Sequence, residues 1–212
     1  MTKKVIAVIG GTGKSGKYLI GQLLAHNYKV RALVRDATKL GDHRQQVDVI
    51  EGDVCNDTTL TTLMQGCDAV ISTLGQPQGG PPIFSNAAEH ILRAMAHANI
   101  QRYIVVTGLS IDIPGDAKGE RTRQASAYMR TTYPAIIADK QREYTVLTKS
   151  SADWTLARLP LIIQTDQRHG VTINETDCAG DKISATDLAD FLIAQLDDTH
   201  YIRKAPFVAS QQ

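Results

Sequence analysis

The chain has little cysteine and no pairing pattern for it. Cys55, Cys67 and Cys178 are three thiols in 212 residues, odd in number, far apart and without C-x-x-C spacing. That excludes a disulfide framework and reads as reduced thiols in a cytoplasmic protein. Neither sign of charge is in excess: 23 Lys and Arg against 22 Asp and Glu leave a net charge of +1. With no basic block either, nothing marks a nucleic-acid surface. No apolar run reaches membrane-spanning length, and Met1-Thr2-Lys3-Lys4 leads straight into a strand-like segment, which leaves no room for a signal peptide. The six histidines lack metal-ligand spacing, and His90 and His97 read as solvated residues of one helix face, so no metal is expected. Repeats, linkers and low-complexity stretches are also missing. The length suits one well-buried domain over residues 1–212.

What is present is concentrated at the N-terminus. Val5-Ile6-Ala7-Val8-Ile9 is a short apolar, β-branched run, and it ends in Gly10-Gly11-Thr12-Gly13-Lys14-Ser15-Gly16. This is G-x-x-G-x-x-G between a strand and a helical pattern. Gly10 lets the backbone turn off the strand, Gly13 lets it approach a pyrophosphate, and Gly16 lets the helix pack on the strand, with free N–H groups and the helix dipole facing the anion. A P-loop is a near miss. Tyr18 stands where one register needs a Ser or Thr hydroxyl for Mg²⁺, and Val8 stands where the other needs glycine, so ATP or GTP hydrolysis is disfavoured.

Strand-like runs at Lys4–Ile9, Lys29–Val34, Val47–Glu51, Ala69–Ser72 and Tyr103–Val106 alternate with helical segments. Leu19/Leu23 and Ile20/Leu24 form i,i+4 pairs before a stop at Asn27. Ala88, Ile91, Leu92 and Met95 repeat the pattern before Asn99, and Asp57 caps a short helix. Such alternation predicts an α/β fold: a doubly wound, mostly parallel sheet with helices on both faces, binding ligands at the carboxyl edge of its strands. Later, residues 112–127 read as an irregular loop over that edge and residues 164–170 as a polar lid. Residues 135–150 and 186–196 read as helices, and 154–159 and 207–209 as strands.

The second strand ends Val34-Arg35-Asp36. An NAD site usually ends this strand in an acid that bonds the ribose 2′-hydroxyl, whereas an arginine there holds a 2′-phosphate. Arg35, with Lys39 one turn on, argues for NADP(H). The other reading leaves both cations solvated and makes Asp36 the ribose acid. Asp53 and Val54 follow the third strand and suit an adenine, Leu74 and Gly75 end the fourth, and Thr107 and Ser110 follow the fifth, where a hydroxyl faces the nicotinamide.

Together these segments resemble the atypical short-chain dehydrogenase/reductase superfamily, a Rossmann fold, and within it the NAD(P)H-binding group that includes biliverdin-IXβ reductase (flavin reductase) and the NmrA-like proteins. Residues 5 to about 208 carry the resemblance. Further markers are Gly52-Asp53-Val54, Val105-Val106-Thr107-Gly108, the stretch from Lys140 through Glu143, Leu147 and Ser150 to Arg158 and Pro160, and Ile183-Ser184-Ala185-Thr186-Asp187. The resemblance implies NADP(H) contacts from Gly10, Thr12, Gly13, Lys14, Ser15, Arg35, Asp53, Val54, Leu74, Gly75, Thr107 and Lys140, with Thr107, Ser110 and Lys140 around the reaction. It also shows what is missing. The Tyr-x-x-x-Lys pair is absent, because Ile136 lies four residues before Lys140, and Gly108 and Leu161 replace the serine and histidine of biliverdin-IXβ reductase. Carbonyl reduction and epimerisation need such an acid/base group. The implied function is therefore an NADPH-dependent, cytoplasmic reductase passing hydride to a small-molecule conjugated acceptor, a flavin or quinone, with no nucleic-acid or membrane partner. The rival is a non-catalytic NADP(H) sensor of the NmrA-like type. A homodimer through an exposed helix face stays open.

Overall fold

A computed structural model of the chain describes residues 3–77 and 79–211. Eight strands form one sheet in the order β3-β2-β1-β4-β5-β6-β10-β8. They are β1 (Val5–Ile9), β2 (Lys29–Val34), β3 (Asp48–Glu51), β4 (Ala69–Ser72), β5 (Arg102–Gly108), β6 (Asp153–Leu159), β8 (Val171–Asn174) and β10 (Phe207–Ser210). All neighbours pair parallel except β8, which runs antiparallel to β10. The short strands β7 (Leu161–Ile163) and β9 (Lys182–Ser184) pair separately. The helices are α1 (Gly16–Ala25), α2 (Asp57–Met64), α3 (Phe84–His97), α4 (Glu120–Thr132), α5 (Pro134–Lys149) and α6 (Ala185–Ala194).

The pleat of β1 shows why the sheet is covered on both sides. Ile6 and Val8 enter one apolar cluster with Leu19 and Leu23 of α1 and Leu188 and Leu192 of α6. Ala7 and Ile9 enter the other, with Leu60 and Leu63 of α2 and Ile91 and Met95 of α3. Strands buried on both faces read as unbroken apolar runs, which is why they stand out in the sequence. The two asparagine stops are real: Asn27 (φ 63°) and Asn99 (φ 58°) take the left-handed conformation that ends α1 and α3.

Three expectations change. The cap of α2 is Asn56, whose side chain accepts from the Thr59 N–H at 2.9 Å, while Asp57 sits in the first turn and pairs with His90 and Arg93 of α3. Residues 120–127 are helical rather than irregular. Only Thr122 and Ser126 of α4 are buried, so the helix has no apolar stripe to betray it. The 164–170 segment is pinned against α1 and α6 rather than over the ligand edge. Arg168 bonds Asp190 at 2.7 Å and Gln22 at 2.8 Å, and the N–H groups of His169 and Gly170 donate to Asp187.

One buried cation ties the segment after β5 to the sheet. The Arg158 guanidinium on β6 is fully buried, 3.5 Å from the Phe207 ring centroid. It donates to both carboxylate oxygens of Asp116 (2.7 and 2.8 Å) and to the carbonyls of Ala205 and Glu175. Burial pushes its pKa down and the Asp116 carboxylate opposes that shift. No helix among the described residues is long and apolar enough to cross a membrane.

Candidate functional site: two clefts meeting at the glycine turn

A cleft of about 480 Å³ runs along the carboxyl edge of the sheet, and its floor is the turn after β1. The turn is close-packed. Gly10 has φ 79°, and a Cβ there would lie 2.6 Å from the Thr73 carbonyl oxygen; a Cβ on Gly16 would overlap the Gly10 carbonyl. A Cβ on Gly13, by contrast, meets only the Gly10 oxygen, at 3.2 Å. The bare Cα of Gly13 therefore leaves space on the cleft side. Among the described residues, the N–H groups of Thr12, Lys14 and Ser15 find no backbone acceptor. Unpaired donors at the start of a helix and a missing side chain beside them fit a diphosphate.

At one end of this cleft lie Arg35 and Lys39. Arg35 is exposed. Asp36 is turned away: it accepts from the Thr38 N–H (3.0 Å) and hydroxyl (2.6 Å), and those bonds hold its carboxyl below the usual range. Asp36 caps the 3-10 stretch of residues 37–45 and is absent from the cleft lining, while Lys39 lies 3.7 Å from it. Asp53 and Val54 line the cleft above β3. Asp53 also closes its own turn, accepting from the Cys55 N–H at 2.8 Å. Leu74 and Gly75 line the far end, joined by Gln76, Pro77 and Ile83, which sequence reasoning passed over.

A second cleft, of about 490 Å³, begins at the next residue of the same turn, because Lys14 lines it where Gly13 lines the first. Its walls are Gly108, Leu109 and Ser110 after β5, Tyr128 and Met129 of α4, and Leu159 to Ile162 at the β6–β7 corner. Gly108 and Leu161, the positions without serine and histidine, both face this space. Sequence reasoning missed the α4 residues, while Pro160-Leu161-Ile162 carried an apolar signal beyond β6.

The remaining expected residues scatter. Ser15 is buried at the start of α1, where its hydroxyl makes no cap bond, and it lines neither cleft. Thr107 is buried and its hydroxyl oxygen has no hydrogen-bond partner. It precedes Gly108 at the end of β5 but lines neither cleft. Lys140 also lines neither. It belongs to a face of α5 that docks on the start of α3: Nζ lies 3.7 Å from the Phe84 ring centroid, and the Asp139 carboxylate accepts from the Phe84 N–H at 2.7 Å. Burial lowers the Lys140 pKa and pushes the Glu143 carboxyl up to about 7.

Comparison with known proteins agrees with this architecture. The chain is 24% identical over 150 residues to YwnB of Bacillus subtilis, covering 71% of this chain and 68% of that protein. It is 30% identical over 112 residues to an isoflavone reductase homologue of Nicotiana tabacum, covering 48% of this chain and 34% of that one. The chain thus spans only about a third of the tobacco protein. Among solved structures, ChuY, an anaerobillin reductase of Escherichia coli, superimposes with a TM-score of 0.82 at 19% identity, covering 99% of this chain and 98% of ChuY. A short-chain dehydrogenase/reductase of Veillonella parvula in complex with NADP does so with a TM-score of 0.80 at 18% identity, covering 99% and 95%. At those identities the likeness is one of fold, a Rossmann-fold sheet. The family model described as NAD(P)H-binding matches residues 10–199, and the chain belongs to that NAD(P)H-binding family.

Proposed function

We propose that this protein is an NADPH-dependent oxidoreductase acting on a conjugated small-molecule acceptor, such as a flavin or a quinone. The observation that supports it best is the placement of the two clefts at the glycine turn: Gly13 lines one, which carries Arg35 and Lys39 at its end, and Lys14 lines the other, which is largely apolar and lacks the Tyr-x-x-x-Lys pair. When bound, NADPH supplies a hydride. The chain's residues supply position and dryness. In this reading the turn N–H groups hold the diphosphate and Arg35, with Lys39, holds the 2′-phosphate. Asp53 and Val54 take the adenine, Leu74 and Gly75 the ribose, and Thr107, Ser110 and Lys140 orient the nicotinamide end. Met129, Leu159 and Leu161 exclude water from the acceptor's face. A conjugated ring accepts its proton from water at the open mouth, so no side-chain acid is required.

A second reading, an NADP(H) sensor of the NmrA-like type, draws on the same absence of acid/base groups at Gly108 and Leu161. The experiment is NADPH oxidation by the purified protein with FMN, riboflavin and small quinones in parallel. Protein-dependent turnover that prefers NADPH to NADH supports the reductase. Tight NADPH binding with no turnover refutes it in favour of the sensor.

A further inference from the structure

Resting on the reading of the first cleft as the NADPH site, we propose that Asp139 is a positioning residue for the cofactor. From α5 it fixes the first turn of α3, and with it the wall that Ile83 and the loop after β4 give to that cleft. The wall has little of its own to hold it. Gly75, Gln76, Pro77 and Ile83 line the cleft, and the described residues between 73 and 83 form neither strand nor helix. At the upstream end the Thr73 N–H donates to the Ile9 carbonyl at 2.9 Å, so the sheet holds the loop there. Within the loop, the Gln76 side-chain amide donates to the carbonyls of Pro77 (3.2 Å), Gly80 (2.8 Å) and Pro81 (3.1 Å). Those bonds staple the loop to itself and not to the rest of the fold. The downstream end is the start of α3, where the cap residue is Ile83. An isoleucine side chain has no oxygen to offer the free N–H groups of a first turn.

Asp139 supplies the missing cap from another helix. Its buried carboxylate accepts from the Phe84 N–H at 2.7 Å, from the Ser85 N–H at 3.3 Å and from the Ser85 hydroxyl at 2.5 Å. The exposed Arg142 guanidinium, 3.0 Å away, is its ion-pair partner. The next residue, Lys140, sets its Nζ 3.7 Å from the Phe84 ring centroid. Helix α5 therefore holds Phe84 by its backbone and by its ring, one residue from the cleft lining. A first turn without a cap frays, and a cofactor that needs Ile83 in place must then restore it on binding. That ordering cost appears in the apparent affinity, because only the fraction of molecules with the wall in place binds.

The test is fluorescence titration of NADPH into the full-length protein carrying Asp139→Ala or Asp139→Asn. Asp139→Ala should raise the NADPH Kd about fivefold, the scale of one lost helix cap. Asp139→Asn keeps an acceptor oxygen for the Phe84 N–H and should stay within about twofold of wild type. A merely structural residue would lower Tm and leave Kd alone, because a chain that is still folded at the assay temperature binds with its native affinity. An unchanged Kd in Asp139→Ala, or an equal loss in Asp139→Asn, overturns the proposal. Should Asp139→Ala fail to fold, hydrogen exchange on the wild type decides. Saturating NADPH should slow exchange of the Phe84 and Ser85 amides about fivefold more than that of the amides at the other end of α3, since cofactor and cap favour one another reciprocally; equal slowing at both ends overturns the proposal. Gly13→Ala and Arg35→Ala test the cleft reading itself. If they weaken NADPH binding and Asp139→Ala does not, only this inference falls; if they too leave it unchanged, the cleft reading and the inference fall together.

Discussion

Arg35→Ala separates the two readings of the strand-end cations. Arg35 is exposed at the cleft end beyond Val34, and the acid beside it is already committed to Thr38. Lys39 shares its charge with Asp36 at 3.7 Å, which leaves Arg35 as the main cation available to a 2′-phosphate. A charge-assisted, forked contact to a phosphate is worth about 2 kcal/mol net, roughly thirtyfold in Kd. Solvent at this open end trims that figure, so tenfold is a fair lower expectation. NADH has no 2′-phosphate, and its affinity should change by less than about twofold. The assay is nucleotide fluorescence titration of wild type and variant with NADPH and NADH at two salt concentrations, because the phosphate contact is also the salt-sensitive one. Equal losses for the two nucleotides would show that Arg35 acts on the fold or on a shared part of the dinucleotide. The assignment of NADPH would then rest on nothing in the cleft. A gain in NADH affinity together with a loss for NADPH would be the strongest form of the expected result.

Lys140→Ala should raise the KM for NADPH severalfold if its ammonium reaches the cofactor ribose; a fall in Tm with unchanged kinetics assigns it to the α3–α5 contact over Phe84 instead. Glu143 is buried and its carboxyl titrates at about 7 rather than 4.5, so the folded state holds a proton that the unfolded chain has released. Its contribution to stability is complete below about pH 4.5 and is lost as pH rises through 7, about 2 kcal/mol between pH 5.5 and 8; urea denaturation at those two pH values should show the fall in wild type and a flatter profile in Glu143→Gln. Arg158→Met leaves Asp116 and two carbonyls without their buried donor and should cost about 3–5 kcal/mol, with Asp116→Asn in the same chain recovering part of it; additive losses in denaturant titrations would refute the coupling. Gly13→Ala should fold with a near-native Tm yet lose more than tenfold in NADPH affinity, whereas Gly16→Ala should fail to fold, since only its Cβ overlaps the Gly10 carbonyl.

How far the sequence reports the structure depends on what each part is made of. Strands β1, β2 and β4 lie within a residue of their apolar runs because both of their faces are buried. Helix α4 is hidden because it is a polar helix on the surface with two small buried residues, and β7 and β9 are three-residue strands with no room for a pattern. The same distinction divides the site. The first cleft is built from turns at strand ends, so Gly10, Gly13, Arg35, Asp53, Val54, Leu74 and Gly75 are each found by counting a few residues from a strand. The second cleft joins residue 14 to positions 108–110, 121–129, 159–162 and 180–181. Only the sheet order brings those together, and no local pattern encodes it.

The placement of charge in the fold narrows what the second cleft can do. Two buried ionisable groups are spent on architecture: Arg158 with Asp116 anchors the segment after β5, and Asp139 seats α5 on the start of α3. None of these lines the second cleft. General acid catalysis needs a titrating group within hydrogen-bond reach of the reacting atom, and the titratable groups lining the second cleft are Lys14, Tyr128 and Asp181. In the proposed reductase, the shape of the apolar wall formed by Leu109, Met129, Leu159 and Leu161 is what an acceptor would have to match.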